Sequence, residues 1–270
     1  MFSEIAEYYR VEALPHIWCP GCGIGTITAA LTRAIKTLQL DQNKVVIVSG
    51  IGCSSRMPGY LDFNTLHTTH GRALAFATGI KTAKPELDVF VIMGDGDATA
   101  IGGNHFIHAA RRNIDLTTIV INNNIYGMTG GQSSPLTPHD KKATTSPYGT
   151  LERPLELLNL AEAAGATYGA RGTVYHNQLL TKLIVDAYTH SGFSVVEAIS
   201  QCPVSYGRRN KFKTPADMVL WQKEHGVMVG RKEIQGEDFA IGELFKKKAP
   251  EYTQEYEKLR QRLKGVSNNG

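Results

Sequence analysis

Two side chains that carry oxygen ligands follow two apolar segments of the chain. Asp95, within Gly94-Asp95-Gly96-Asp97, comes directly after Val89–Met93, and Asn123 comes 28 residues later, just behind Thr118–Ile121. Glycine-rich turns after strands hold phosphates in α/β folds, but a carboxylate at that place would repel a phosphate. A cation between them removes the conflict, because Mg²⁺ prefers carboxylate, carbonyl, water and phosphate oxygens. The pattern therefore predicts a metal-bridged diphosphate. The alternative is that the two segments are unrelated turns, since Asp-Gly and Asn-rich segments are common in loops.

Four cysteines are spread over the chain in a pattern that could hold a second metal centre. Cys19 and Cys22 form a Cys-x-x-Cys pair, whereas Cys53 and Cys202 stand alone, the latter before a proline. A [4Fe–4S] cluster takes four cysteines, and one of them is often remote and followed by proline. Three other interpretations stay open: a structural zinc site, which usually has two such pairs, a redox pair at Cys19 and Cys22, and ordinary buried cysteines at the single positions.

Apolar runs alternate with helical periodicity in the segments that must position these residues. The predicted strands are Val45–Val48, Val89–Met93, a run ending at Asn122, Thr167–Ala170 and Ser194–Ile199. The predicted helices are residues 26–38, Arg72–Ala83, Asn104–Arg112, Leu155–Ala164 and Asn177–Thr189, and a Pro/Ser/Thr-rich loop covers Ser133–Thr150. This alternation predicts an α/β fold with a doubly wound, mostly parallel sheet covered on both faces.

The candidate residues follow predicted strands directly. Ile51–Ser54, Gly94–Asp97, Asn122–Asn124 and Cys202 each come at the end of such a run. Ligands gather beyond the carboxyl ends of the strands in an open parallel sheet. We therefore expect two cysteines and both metal ligands to lie at one edge and to serve one site.

Composition limits the classes of partner. The chain has 270 residues, a hydrophobic fraction of 42% and a formal net charge of +4, too small and scattered to indicate nucleic-acid binding. No apolar stretch reaches the roughly 18 residues that span a bilayer, and Met1–Glu7 is acidic without an apolar signal core. We expect a cytoplasmic protein that binds neither membranes nor nucleic acid.

The C-terminal part differs from the rest. From about Pro215 onward the chain is charged, with helical spacing. We expect residues 1–205 to carry the site and residues 206–270 to form a peripheral, partly helical extension that packs on a partner subunit.

Several motifs in order resemble the β subunit of 2-oxoacid:ferredoxin oxidoreductases, a family of thiamine-diphosphate enzymes. The resemblance covers roughly residues 15–205. It depends on Trp18–Gly23, Gly50–Ser54, His67–Ala73, Gly94–Asp97, Asn122–Gln132 and Gln201–Pro203. It implies a sheet of the thiamine-diphosphate-binding type.

The resemblance also implies residues for three cofactors. The implied Mg²⁺ ligands are Asp95, Asn123 and the carbonyl of Ile125, and the implied ligands of one [4Fe–4S] cluster are Cys19, Cys22, Cys53 and Cys202. The implied contacts to the diphosphate of thiamine diphosphate are Ile51, Gly52, Cys53, Ser54, Gly96, Asp97, Gly127 and Met128.

The implied activity is oxidative decarboxylation of a 2-oxoacid, with coenzyme A taking the acyl group and ferredoxin the electrons. Tyr126–Gln132 followed by Ser134-Pro135 is most similar to the 2-oxoglutarate branch, while pyruvate and branched-chain oxoacids stay open. The candidates for holding a substrate carboxylate or a phosphate are Arg56, His67, His70 and Arg72, with Thr129 and Gln132 as further candidates.

One catalytic part has no assignment in this chain. Thiamine enzymes need a glutamate beside the aminopyrimidine ring, and in related proteins it comes from another chain or domain. The resemblance therefore implies an obligate α subunit that supplies this glutamate and part of the substrate pocket. Two other functions are weighed: a non-redox thiamine enzyme, which leaves the cysteines without a role, and a non-catalytic scaffold held by zinc.

Overall fold

The computed structural model describes residues 3–231 and 233–267 and contains one eight-stranded sheet. The strands are β1 (Val45–Ser49), β2 (Asn64–His67), β3 (Asp88–Gly94), β4 (Thr117–Asn122), β5 (Tyr168–Thr173), β6 (Ser194–Ile199), β7 (Gly226–Met228) and β8 (Phe239–Lys246). The helices are α1 (Ile24–Thr37), α2 (Ala73–Ala83), α3 (Asp95–Thr99), α4 (Gly103–Arg112), α5 (Leu157–Ala164), α6 (Asn177–Thr189), α7 (Pro215–His225) and α8 (Tyr252–Ser267).

The sheet is mostly parallel. Its strand order is β2-β1-β3-β4-β6-β5-β8-β7, and every pair from β2 to β5 is parallel. Every residue of β1, β4 and β5 is buried, which agrees with apolar strands covered on both faces. The predicted doubly wound α/β fold is confirmed.

Helices cover both faces of the sheet and build two cores. On one face Leu31 of α1 and Ile184 of α6 are buried in the same apolar cluster. On the other face Leu74 of α2, Phe106 of α4 and Leu158 of α5 are buried in a second cluster. The central strands are parallel, so their carboxyl ends lie at one edge of the sheet, and the helices on both faces hold them in place.

Two short elements near the site were not predicted. β2 has only four residues, none of them buried, so it shows no apolar alternation. α3 begins at Asp95 itself, so the Gly-Asp-Gly-Asp segment includes the first turn of a helix and not only a loop. The predicted bounds of α6 and of β6 match the structure.

The C-terminal segment contains helices, as expected, and also two strands that were not predicted. α7 begins with a capping box in which Thr214 and Asp217 exchange hydrogen bonds. β8 then pairs antiparallel with β5, and Phe245 packs so closely over Gly169 that a Cβ there would overlap its ring. These strands were not predicted because β8 pairs with the distant β5, and β7 joins the sheet only through β8. The division at residue 205 stays a prediction.

The described helices are all too short or too polar to cross a membrane.

Candidate cofactor and metal site

A small cavity of about 100 Å³ lies at the carboxyl ends of β1, β3 and β4. These strands are neighbours in the sheet, so the loops that follow them meet there. The lining residues are Ile51, Gly52, Cys53, Ser54, His70, Gly94, Asp95, Gly96, Asp97, Asn123, Ile125, Tyr126, Gly127, Met128 and Thr129. All eight predicted diphosphate contacts and all three predicted magnesium ligands are among them.

Asp95 is a buried carboxylate that forms no ion pair with any of the described residues. It is 3% exposed, and Ser134 Oγ donates a hydrogen bond to its Oδ2 at 2.5 Å. Burial raises the pKa of Asp95 to about 7, although the bonds from Ser134 and Gly96 lower it. A divalent cation would offset this loss of hydration. The residue therefore fits a magnesium ligand.

The second proposed ligand lies in a tight turn behind β4. Asn123 is 8% exposed, and its Oδ1 accepts a long hydrogen bond from the Ile125 amide at 3.3 Å. Between them Asn124 has a φ of 62°, in the left-handed region that asparagine tolerates. The turn brings Asn123 and Ile125 to the same cavity as Asp95.

Two glycines allow close approach at this edge. A Cβ on Gly96 would overlap the ring of Tyr126, so the first turn of α3 can lie against that ring only without a side chain. Gly52 has a φ of 115° and open space in front of it, so the loop after β1 is kept clear for a ligand.

The Asp97 carboxylate binds neighbouring loops. Its Oδ1 accepts from His70 Nδ1 at 2.5 Å, from the Gly71 amide at 2.7 Å and from the Ile51 amide at 3.4 Å. Its Oδ2 is buried and has no partner among the described residues. Burial raises the pKa of Asp97, against the bonds from Gly71 and His70. The Asp97 side chain thus organises the loops after β1 and β2. Because a carboxylate only accepts hydrogen bonds, the main-chain N–H is the group of Asp97 that could donate to a diphosphate.

The four cysteines are free thiols, and Cys53 lines this cavity. A Cβ built on Gly127 would lie 3.5 Å from Cys202 Sγ and 3.7 Å from Cys53 Sγ, so both sulfurs flank a residue of the cavity wall. Burial raises the pKa of Cys22 to about 12 and that of Cys53 to about 11, and neighbouring thiols add to both shifts.

The chemistry of these thiols suits a soft metal centre. Burial without a cation disfavours the thiolate, whereas coordination favours it. Within residues 3–231 and 233–267, no three His, Cys, Asp or Glu side chains converge closely enough to hold a metal ion. The [4Fe–4S] assignment therefore stays a prediction.

The substrate candidates separate into two groups. His70 and Thr129 line the cavity, whereas Arg56, His67, Arg72 and Gln132 do not. Arg56 and His67 are exposed, and Arg72 donates to the Ile101 carbonyl at 3.1 Å. Their substrate roles stay predictions.

Sequence reasoning missed three contributors to this site. Tyr126 lies edge-on to His70, with ring centroids 6.2 Å apart, and Ser134 reaches Asp95 from a loop far along the chain. Glu197 of β6 is buried behind the turn that follows β4, and it accepts a hydrogen bond from Asn122. The sequence offered two local signals for these contributors: a tyrosine just after an asparagine-rich turn, and a glutamate within an otherwise apolar strand.

Comparison with known families first identifies the class of protein. Residues 50–198 match the family model described as thiamine pyrophosphate enzyme, C-terminal TPP binding domain. Thiamine pyrophosphate is another name for thiamine diphosphate. The matched range includes Cys53, Asp95 and Asn123.

Individual relatives narrow the class. The chain is 50% identical to 2-oxoglutarate synthase subunit KorB of Methanocaldococcus jannaschii, over 96% of this chain and 97% of that protein. It is 53% identical to the protein of the same name in Archaeoglobus fulgidus, over 99% and 98%. A solved structure, 2-oxoglutarate:ferredoxin oxidoreductase from Magnetococcus marinus with 2-oxoglutarate, coenzyme A and succinyl-CoA bound, superposes with a TM-score of 0.86 at 35% identity, over 96% of this chain and 90% of that one.

The chain belongs to the β-subunit family of 2-oxoacid:ferredoxin oxidoreductases, in which these relatives are 2-oxoglutarate synthase subunits. The resemblance inferred from the sequence motifs is confirmed.

Proposed function

We propose that this chain is the β subunit of a cytoplasmic 2-oxoglutarate:ferredoxin oxidoreductase. The overall reaction converts 2-oxoglutarate, coenzyme A and oxidised ferredoxin to succinyl-CoA, CO₂ and reduced ferredoxin. One observation carries the proposal: loops from three strands bring every predicted diphosphate and magnesium residue to one cavity.

In this proposal Asp95, Asn123 and the Ile125 carbonyl hold Mg²⁺, and the loop amides hold the diphosphate. Thiamine diphosphate supplies an electron sink for the carbon from which CO₂ leaves. The chain's own contribution is to fix that cofactor in a buried pocket. Asp97 orients His70 and keeps a proton on Nδ1, which leaves Nε2 available to a bound group.

Cys19, Cys22, Cys53 and Cys202 hold the [4Fe–4S] cluster in this proposal. Cys53 lies in the loop after β1 and also lines the cofactor cavity. Electrons therefore leave the thiamine site across a short distance.

The α subunit completes the site. Among the described residues that line the cavity, the only carboxylates are Asp95 and Asp97, and both already have other roles. The catalytic glutamate and part of the substrate pocket therefore come from the partner.

The test is anaerobic co-expression of this chain with its α subunit, followed by iron, sulfide and thiamine quantification. We expect about four iron atoms and four sulfides for each β chain, with bound thiamine diphosphate. Reduction of a dye acceptor should require coenzyme A and be fastest with 2-oxoglutarate. A preference for pyruvate would overturn the substrate, zinc in place of iron would overturn the cluster, and no bound thiamine diphosphate would overturn the whole proposal.

A further inference from the structure

A chain of buried polar contacts connects the metal-binding turn to the interior of the sheet. Asn122, the last residue of β4, accepts a hydrogen bond from the Asn124 amide at its Oδ1, at 3.1 Å. Its side-chain amide donates to Glu197 Oε1 on β6 at 2.8 Å. The turn that carries Asn123 and Ile125 is therefore tied to a residue outside the cavity of about 100 Å³.

Glu197 determines which way the Asn122 side chain faces. An amide side chain has a donor end and an acceptor end, whereas an ionised carboxylate only accepts. The carboxylate therefore fixes the NH₂ group of Asn122 toward β6 and its oxygen toward the Asn124 amide. That bond holds Asn124 at its φ of 62°. With the opposite orientation, two donors would face each other at the turn.

The negative charge of Glu197 needs a compensating partner, because the side chain is only 2% exposed. Arg171 of β5 supplies it: its Nε donates to Glu197 Oε2 at 2.7 Å, and its Nη2 donates to Glu156 Oε2 at 3.1 Å. Burial alone would lower the pKa of Arg171, but the two carboxylates outweigh it and raise the pKa. The guanidinium thus stays charged and keeps the Glu197 carboxylate in place.

We propose that Glu197, held by Arg171, is a positioning residue for the magnesium site. It acts through Asn122 on the turn that presents the Asn123 oxygen and the Ile125 carbonyl. It touches neither the metal nor the substrate. The inference depends on the proposed function, because it assumes that this turn binds Mg²⁺.

The test uses Glu197→Gln in the αβ complex, depleted of metal and cofactor and kept anaerobic. Glutamine has the same shape, but its amide oxygen can serve Asn122 or Arg171 and not both. Calorimetric titration with Mg²⁺ at saturating thiamine diphosphate should show affinity about 10- to 100-fold weaker, the range for residues that orient metal ligands. At saturating Mg²⁺, kcat should return close to that of the unchanged complex.

Glu251→Gln is the matched control. Glu251 is also buried, at 3% exposure, and its carboxylate accepts from the amides of Asp115 and Thr253 at the opposite end of β4. This variant should lose thermal stability without any change in Mg²⁺ affinity.

A second variant separates orientation from folding. Removing one partner of a buried ion pair leaves the other charge buried and unpaired, which is strongly destabilising. Replacing both partners with apolar residues costs much less stability. Glu197→Leu/Arg171→Leu should therefore melt closer to the unchanged complex than Glu197→Gln does, yet keep the weakened Mg²⁺ affinity, because leucine cannot accept the hydrogen bond of Asn122. The inference is overturned if either variant binds Mg²⁺ as tightly as the unchanged complex, or if Glu251→Gln weakens binding equally. If the unchanged complex binds no Mg²⁺ and cofactor, the proposed function fails as well.

Discussion

At the scale of single residues, the site contains ionisable side chains that are buried. The Asp95 carboxylate has a pKa raised to about 7 because it is buried, and the Cys22 and Cys53 thiols have raised pKa values for the same reason. A buried carboxylate destabilises a protein unless it is neutralised or paired, whereas a neutral buried thiol does not. Asp95 therefore indicates a bound cation more directly than the cysteines do.

Asp95→Asn should have opposite effects on binding and on stability. Loss of a direct ligand should weaken Mg²⁺ binding by more than the roughly 10- to 100-fold typical of an outer-sphere partner. Without metal, the variant should be at least as stable as the unchanged protein at pH 7.5, since it buries no charge. Calorimetry and thermal melts with and without EDTA measure the two effects, and a less stable metal-free variant would contradict this assignment.

The same residue predicts a pH dependence for the metal-free protein. The folded-state pKa of Asp95 is above its ordinary value, so between 3.8 and about 7 the folded state binds more protons than the unfolded state. Stability should therefore fall as pH rises through this window. Melting temperatures measured across it should decline less for Asp95→Asn. An identical decline in both proteins would show that another group is responsible.

Two cysteine variants should separate the cluster from the cofactor. Cys53 lines the cofactor cavity, whereas Cys19 is exposed and does not. Cys53→Ser should therefore lose iron and also weaken thiamine diphosphate binding, while Cys19→Ser should lose iron alone. Iron content and cofactor affinity of the two anaerobic complexes provide the measurement. Equal cofactor affinities would exclude a shared role for Cys53.

At the scale of elements, the sequence predicts what is local and misses what depends on pairing. The runs that become β3, β4 and β6 are continuous and apolar, so they were predicted to within a residue or two. The cavity is lined by loops that follow β1, β3 and β4, and it includes the residues that the family resemblance implied as diphosphate contacts. The sequence could not reveal that Ser134 reaches Asp95, or that Arg171 meets Glu197, because these pairs join segments that are distant in sequence.

The first turn of α3 gives a prediction at this scale. A Cβ on Gly96 would overlap the Tyr126 ring, so Gly96→Ala should push the ring or the helix away. We expect a loss of about 1–3 kcal/mol in the free energy of unfolding and weaker cofactor binding.

Gly103→Ala provides the comparison for this substitution. Gly103 also lies in the first turn of a helix, α4, but a Cβ there meets no atom within 4 Å. It should be neutral or stabilise by up to about 1 kcal/mol. Denaturant unfolding and cofactor titration of both variants provide the measurement, and equal changes in the two variants would show that the overlap with the Tyr126 ring is not the cause.

At the scale of the whole molecule, the C-terminal segment is integrated with the sheet that carries the site. β8 lies against β5, and the buried Ile241 shows that this strand contributes to the core. The expectation of a peripheral extension from residue 206 was based on charge and helical spacing, which do not reveal strand pairing. Arg171, in the strand that β8 covers, lies next to this junction.

Truncated chains test whether the rest of the protein can fold without the C-terminal segment. A chain ending at residue 205 would expose the edge of β5, so we expect it to aggregate or to unfold without a cooperative transition. A chain ending at residue 250 keeps β8 and loses only α8, and it should fold cooperatively with reduced stability. Circular dichroism melts and light scattering distinguish the two, and a cooperative 1–205 fragment would establish an independent domain.

Gly127 lies in the wall of the cofactor cavity beside the sulfurs of Cys53 and Cys202, and Cys53 also lines the cavity itself. If the proposed cluster forms at these sulfurs, one residue without a side chain lies between Cys202 and the bound cofactor. An alanine at position 127 would meet both sulfurs at ordinary contact distance, whereas a bulky side chain would have to displace them. A bulky substitution should therefore disturb the cluster and, because Gly127 is also a proposed diphosphate contact, weaken cofactor binding, while Gly127→Ala should affect the cluster much less.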